Sequence, residues 1–350
     1  MSERVVLDHG SGGRRSRDLV RSVFRSRLSN AALDAETDAA VVALALDASP
    51  AGDVSNAADV RIAMTTDAHV VKPLRFPGGD IGRLAVCGTV NDLAVSGAEP
   101  RYLTASFIIE EGFPIADLES IVDSMADAAT EAGIRVVAGD TKVVGRGECD
   151  GLFITTSGVG IVGPGREGIA GASRVAAGDV ILVNGPIGDH GATIACVRNG
   201  IDTDPPLASD CAPLSGLIQQ LYNSGITPHF MRDATRGGLA TVLCELADMR
   251  SIQIQIREES IPVRDTVRGV CEIYGFDPLY LANEGTMICV VDQADASVAI
   301  QAMQAHPLGQ SAVIVGEVLE SGSARAVMRT AIGGRRVLRM LAGEQLPRIC

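Results

Sequence analysis

Twice along the 350 residues, apolar runs of strand length alternate with segments whose apolar residues recur at helical spacing. That pattern limits the chain to layered architectures in which helices cover sheets. In the first set, strands are predicted at 60–71, 102–109, 135–144 and 152–162, with helices at 81–96 and 115–132. A Gly-rich stretch without a period, 163–178, breaks the pattern. The second set then runs from a strand at 179–184 through helices at 190–198 and 212–222 to strands at 286–291 and 312–318. The predicted fold class is α/β (α+β), two domains with mixed sheets: 1–163, 164–340, and a tail, 341–350, that is short and mobile.

Hydrophobic residues make up 46% of the chain, enough to fill two cores. A net charge of -13 argues against nucleic acid or an anionic membrane surface as partner, because both call for a basic face. An anionic substrate would then need a metal ion or a nest of backbone N–H groups. No apolar run approaches the ~20 residues of a bilayer span and the start shows no signal-peptide pattern, so a cytoplasmic protein is expected. The eight cysteines form no CxxC pair and no zinc spacing, and most read as buried thiols. Cys350 differs because it is the last residue, where a thiol without a task is an oxidation liability.

Three aspartates stand where strands end or helices begin: Asp67 in MTTDAHVV, Asp92 in CGTVNDLAVSG and Asp140 in VVAGDTKVV. Each could merely cap a helix or close a turn; together they suit Mg²⁺ shared with phosphate. HGSGGR at 9–14 could turn N–H groups towards a phosphate, although it matches neither the P-loop nor the dinucleotide fingerprint. Lys142 shares a strand face with Asp140 and could hold a phosphate or pass a proton. RDATRGG at 232–238 and ANEG at 282–285, read alone, are capping or turn devices. The residues by themselves lead to an Mg-nucleotide enzyme, with a tethered thiol as an open possibility.

Taken in order, HGSGG at 9–13, FPGGDIGRLAVCGTVNDLAVSGA at 76–98, GDTKVV at 139–144, GDHGA at 188–192, RDATRGG, ANEG and the terminal PRIC resemble the HypE family of hydrogenase expression/formation proteins, the carbamoyl dehydratases. The chain is also similar to the wider PurM-like superfamily of aminoimidazole ribonucleotide and selenophosphate synthetases. Where the family pattern carries an aromatic residue after its first aspartate, this chain has Ala68 and His69.

The resemblance implies a homodimer formed through the first domain and ATP with Mg²⁺ bound in its cleft. It implies a HypF-type carbamoyltransferase that loads Cys350 and ATP-driven dehydration of the thiocarboxamide to a thiocyanate. The cyano group would pass to iron on a HypC–HypD-type scaffold during assembly of [NiFe]-hydrogenase. Carried over residue by residue, the metal ligands are Asp67, Asp92 and Asp140. The nucleotide residues are His9, Gly10, Gly12, Asp67, Asn91, Asp92, Gly139, Asp140, Thr141 and Lys142. Catalysis would use Cys350, Lys142 and, as base, Glu284.

Two other readings compete. Selenophosphate synthesis places a cysteine or selenocysteine near the start, and here none precedes Cys87. A non-enzymatic ATP-binding module that presents its C-terminal peptide to a maturation partner is the alternative.

Overall fold

The computed structural model describes residues 4–6, 9, 13–44, 60–320, 323–341, 346 and 348–350. The first helical stretch is α1 (Arg14–Leu19), a π-helical turn over Val20–Arg25, and α2 (Ser26–Leu28). Its Arg17, Arg21 and Arg25 converge on Glu36, whose carboxyl they pull down to about 2.

The first sheet contains β1 (Ala40–Leu44), β2 (Val60–His69), β5 (Ala98–Glu110), β6 (Arg135–Val144) and β7 (Leu152–Val162), in the order β1-β2-β7-β5-β6. The β5–β6 pair is parallel and the other pairs are antiparallel. A two-residue hairpin, β3 (Arg75–Phe76) with β4 (Gly79–Asp80), leads into α3 (Ile81–Val95). Asp80 caps that helix by accepting the Arg83 N–H. Helix α4 (Ile115–Ala132) lies beside α3 on the same face of the sheet. It buries Ile121, Met125, Ala128 and Ala129, a stripe at helical spacing, and ends at the left-handed Gly133.

The second sheet has seven strands in the order β14-β13-β10-β12-β8-β11-β9. They are β8 (Val180–Val183), β9 (Phe230–Asp233), β10 (Gln253–Arg257), β11 (Met287–Val291), β12 (Val313–Leu319), β13 (Arg325–Arg329) and β14 (Arg335–Val337). The helices between them are α5 (Asp189–Asn199), α6 (Ser215–Asn223), α7 (Gly238–Arg250), α8 (Asp265–Tyr274) and α9 (Ala296–Gln304). Strand β8 is buried on both sides: Ile181 and Val183 face the core of α7, whereas Val180 and Leu182 face that of α6 and α9. Between 223 and 286, where β9, α7, β10 and α8 lie, sequence reading places only a helix after the glycines of RDATRGG, which is α7. There β9 carries Arg232 and Asp233 inside a four-residue strand and β10 alternates over only five residues, too little for a period to declare itself.

Helix α3 explains how the two units become one. Thirteen of its fifteen residues are buried because its outer side enters the second domain's core through Ala94 and Val95. Asn91 locks the contact: its Nδ2 donates to the carbonyls of Ala212 (3.1 Å) and Glu284 (3.2 Å), and its Oδ1 accepts the Leu214 N–H (2.7 Å). Asn91 is therefore an interdomain clamp, with both amide hydrogens given to backbone carbonyls of the second domain.

Candidate active site

Between the domains lies a cavity of about 180 Å³. Its first-domain wall is Asp38, Asp67, His69, Gly88 and Asp92; its second-domain wall is Asp233, Thr235, Arg236 and Glu284. Asp67 points to the helix face of β2, where Thr89 Oγ1 donates to it at 3.1 Å. Asp92 follows from the same helix as Asn91, one residue on, and accepts the Thr65 hydroxyl at 2.8 Å. Asp233 is the last residue of β9. The turn after it passes through Gly237 and Gly238, both at positive φ, and a Cβ on Gly238 would come within 2.6 Å of the Leu279 carbonyl. That tight approach aims Arg236 back at the cavity. A Cβ on Gly88 would meet the His69 ring at 3.2 Å, so glycine there leaves the pocket floor open.

Carboxylate oxygens of Asp38, Asp92 and Asp233 all lie within 4.8 Å of one another. Burial, then the charges of Asp67 and Asp233, push the Asp92 carboxyl well above the usual range. Burial, then Asp38 and Asp67, push Asp233 up to about 8. Such mutual repulsion is what a divalent cation relieves, and an all-oxygen set suits Mg²⁺. Asp38 is held in place by Arg232, whose Nη1 also donates to Glu245.

Glu284 is buried, its Oε1 has no partner among the described residues, and burial first, then Asp210 and Asp233, pushes its carboxyl well up. Asp210 braces its turn by accepting the N–H groups of Glu284 and Gly285, each at 3.0 Å. His69, also buried, is driven down to about 4 by burial and stays neutral. The Arg236 guanidinium is buried here, and its electrostatic interaction with Cys350 raises its pKa further.

Cys350 lines this same cavity. Mobility was expected of the tail, but its last three residues are docked. The Val70 N–H donates to a backbone carboxylate oxygen of Cys350 (3.0 Å) and the Lys72 N–H to the Arg348 carbonyl (3.3 Å). Arg348 in turn reaches Asp150 at 2.6 Å, and Ile349 is buried. Backbone pairing of this kind, invisible in a sequence with no period, outweighs the looseness that Pro347 suggests.

Asp140 does not join the cluster within one chain. Register places Asp67 against Thr156, Thr156 against Ala105 and Ala105 against Gly139, so β6 is three strand spacings of roughly 4.8 Å, about 14 Å, from β2. Asp140 pairs with Ser106, in the neighbouring row that ends at Ala68, and so faces the other side of the sheet from Asp67. Lys142 sits on that outer face too, and its exposed ammonium is 3.2 Å from Asp140. Gly139 and Thr141 share the exposed edge strand. Within one chain the carboxylates whose oxygens converge are those of Asp38, Asp92 and Asp233, with Asp67 lining the same cavity and Asp140 apart from it. His9 bonds Val6 and lies outside the cavity; Gly10 and Gly12 fall outside the described residues. Sequence reasoning missed Asp38, which belongs to no motif, and passed over Asp233 and Arg236 although RDATRGG drew attention.

The AIR synthase related protein family matches with its N-terminal domain at 36–162 and its C-terminal domain at 176–329. The chain is 49% identical over 348 residues, 99% of its length and 98% of the relative's, to the carbamoyl dehydratase HypE of Rhodobacter capsulatus. It is 45% identical to the Escherichia coli K12 protein of the same name, over 99% of each chain. Among solved structures, HypE in complex with ATP matches with a TM-score of 0.79 at 44% identity, covering 99% of this chain and 100% of that one. HypE in a HypE–HypF complex matches with a TM-score of 0.82 at 44% identity, covering 92% and 99%.

Proposed function

The chain belongs to the HypE carbamoyl dehydratases of the AIR synthase related family, and we infer from that membership and from the cavity that it dehydrates a carbamoyl group on Cys350 at the expense of ATP during hydrogenase maturation. The observation that supports this most directly is the location of Cys350 in one cavity with an acidic trio, Arg236 and Glu284.

Turning S–C(=O)–NH₂ into S–C≡N removes the elements of water, which ATP takes up in becoming ADP and phosphate. Hydroxide leaves poorly at neutral pH, whereas the same oxygen leaves readily as phosphate. Mg²⁺, held by Asp38, Asp92 and Asp233 with Asp67 beside them, would supply charge neutralisation for the polyphosphate. Arg236 would orient the carbamoyl oxygen and bear the charge that grows on it. The unpartnered Oε1 of Glu284 would take an N–H proton; a carboxylate whose pKa is raised is a strong base for that purpose. The clamp at Asn91 and the seated tail would exclude water from the reacting carbon.

The partners follow from the same reading. A HypF-type carbamoyltransferase loads Cys350 with the tail withdrawn, and an iron-bearing HypC–HypD-type scaffold receives the cyano group, both in the cytoplasm. A second copy of the chain pairs through the outer face of the first sheet, where Met64, Tyr102, Ile108 and Ile161 are exposed. Asp140 and Lys142 stand on that face and would be offered to the partner's site. A binding module alone would not call for an unpartnered buried acid beside the terminal thiol. The test is the mass of the C-terminal peptide after incubation with the carbamoyltransferase system. It should gain a carbamoyl group, then lose water on addition of ATP; a carbamoyl group that persists with ATP would overturn the assignment.

A further inference from the structure

His190, at the start of α5, is fully buried and makes two hydrogen bonds of 2.8 Å, Nε2 with the Ile349 carbonyl and Nδ1 with the Ser209 hydroxyl. Two facts fix the roles in this chain of bonds. A carbonyl can only accept, so Nε2 carries the hydrogen; burial keeps the ring neutral, so Nδ1 is bare and accepts from Ser209. The same hydroxyl then has a lone pair for the Cys211 N–H, 3.1 Å away. Phe76 meets the ring edge-on at 5.4 Å and sets its plane. On the other side of the tail the Val70 N–H donates to a backbone carboxylate oxygen of Cys350, so the last two residues are gripped from both domains.

We propose that His190 is a positioning residue that seats Cys350 in the reaction cavity through the Ser209–His190–Ile349 relay. The bond falls on the carbonyl immediately before the carrier residue, where a small displacement moves the sulfur most, and misplacement of a reacting atom by about 1 Å can cost roughly 10²-fold. A histidine that merely satisfied itself in the core would have no reason to spend its single hydrogen on the chain's penultimate residue. The proposal rests on Cys350 being the carrier, but seating can be measured without any turnover.

The test is alkylation of the full-length protein by iodoacetamide, without ATP or partner, read as the mass of the Cys350 peptide against the Cys149 peptide. Leaving a buried carbonyl without its donor shifts docking by about 5- to 100-fold. In His190→Ala, Cys350 should therefore alkylate roughly tenfold faster or more while Cys149 does not change. His190→Gln, which keeps one donor and one acceptor, should return near the wild-type rate. In single turnover, His190→Ala should load carbamoyl normally and dehydrate it about 10- to 100-fold more slowly. Wild-type alkylation of Cys350 in both His190→Ala and Ser209→Ala would overturn the proposal. Should His190→Ala also expose the buried cysteines, Ser209→Ala decides by the same criteria. If wild-type protein never dehydrates its load, the functional reading fails and the alkylation result still decides the role of His190.

Discussion

Arg232 Nε lies 2.9 Å from Asp38 Oδ2, so a strand of the second domain holds a carboxylate that belongs to the first. Asp38 thereby comes within reach of Asp92 and Asp233, from which 54 and 195 residues separate it in the chain. The acidic trio is thus a product of domain docking. Asp38→Asn, Asp92→Asn and Asp233→Asn should each lower the ATP-dependent step by roughly 10²-fold or more and weaken Mg²⁺ binding by calorimetry. Their effects should not add if they serve one ion. Unaltered Mg²⁺ affinity in Asp38→Asn would remove it from the set.

Glu284→Gln keeps size and burial but cannot take a proton. Loading of Cys350 should persist, whereas single-turnover dehydration should fall by about 10²- to 10⁴-fold. Dehydration at the wild-type rate would show that the base is another group.

Asp189, buried beside Arg264, has its carboxyl raised by burial from 3.8 to about 6. The folded state holds that proton more tightly than the unfolded one. The stability this contributes is complete below the unfolded value and is lost as pH rises through about 6. Relative to wild type, Asp189→Asn should therefore gain on the order of 1–3 kcal/mol between pH 4 and pH 7.5. Parallel melting curves for the two proteins across that range would contradict it.

Asp140 and Lys142 are given a role only through a second copy. Light scattering should report about twice the 36.3 kDa chain mass. Mixing inactive Asp92→Asn with inactive Lys142→Ala should restore part of the activity, because some mixed dimers contain one intact site. No recovery on mixing, or a monomer at micromolar concentration, would count against the shared site.

What could be read in the sequence tracks how local each signal is. The span 115–132 of α4 was legible in full because its Ile121, Met125 and Ala128 stripe lies within one element. Asp67 and Asp92 were conspicuous as acids in motifs, but Asp67 lies inside β2 and Asp92 in the last turn of α3, not where a strand ends or a helix begins. Asp38 was not, since nothing near it announces a partner 194 residues away. Asp140 is the opposite case: its motif is conspicuous, but only strand order and register show that it faces the far side of the sheet from Asp67. Asn91 carried a motif and turned out to be mortar between domains, a role that becomes visible only when the carbonyls of Ala212 and Glu284 are in place.

Adding one glycine after Cys350 tests the docking itself. The terminal residue lines a cavity of about 180 Å³ with Arg236 and Glu284, and the Val70 N–H fixes an oxygen of its backbone carboxylate. The extension should leave loading intact and slow dehydration by roughly 10²-fold. Full dehydration by the extended chain would show that the tail reacts in some other pose.

A substrate that is the enzyme's own last residue has no concentration. Once Cys350 is loaded and seated, its encounter with the cavity is governed by a docking equilibrium inside one molecule, and dilution does not weaken it. The rate law for the carbamoyl group then contains no saturation term, and ATP is the one reactant whose supply the solution controls. Throughput would be set by how often the tail leaves to be reloaded, so the same bonds that speed each conversion would hold back the next.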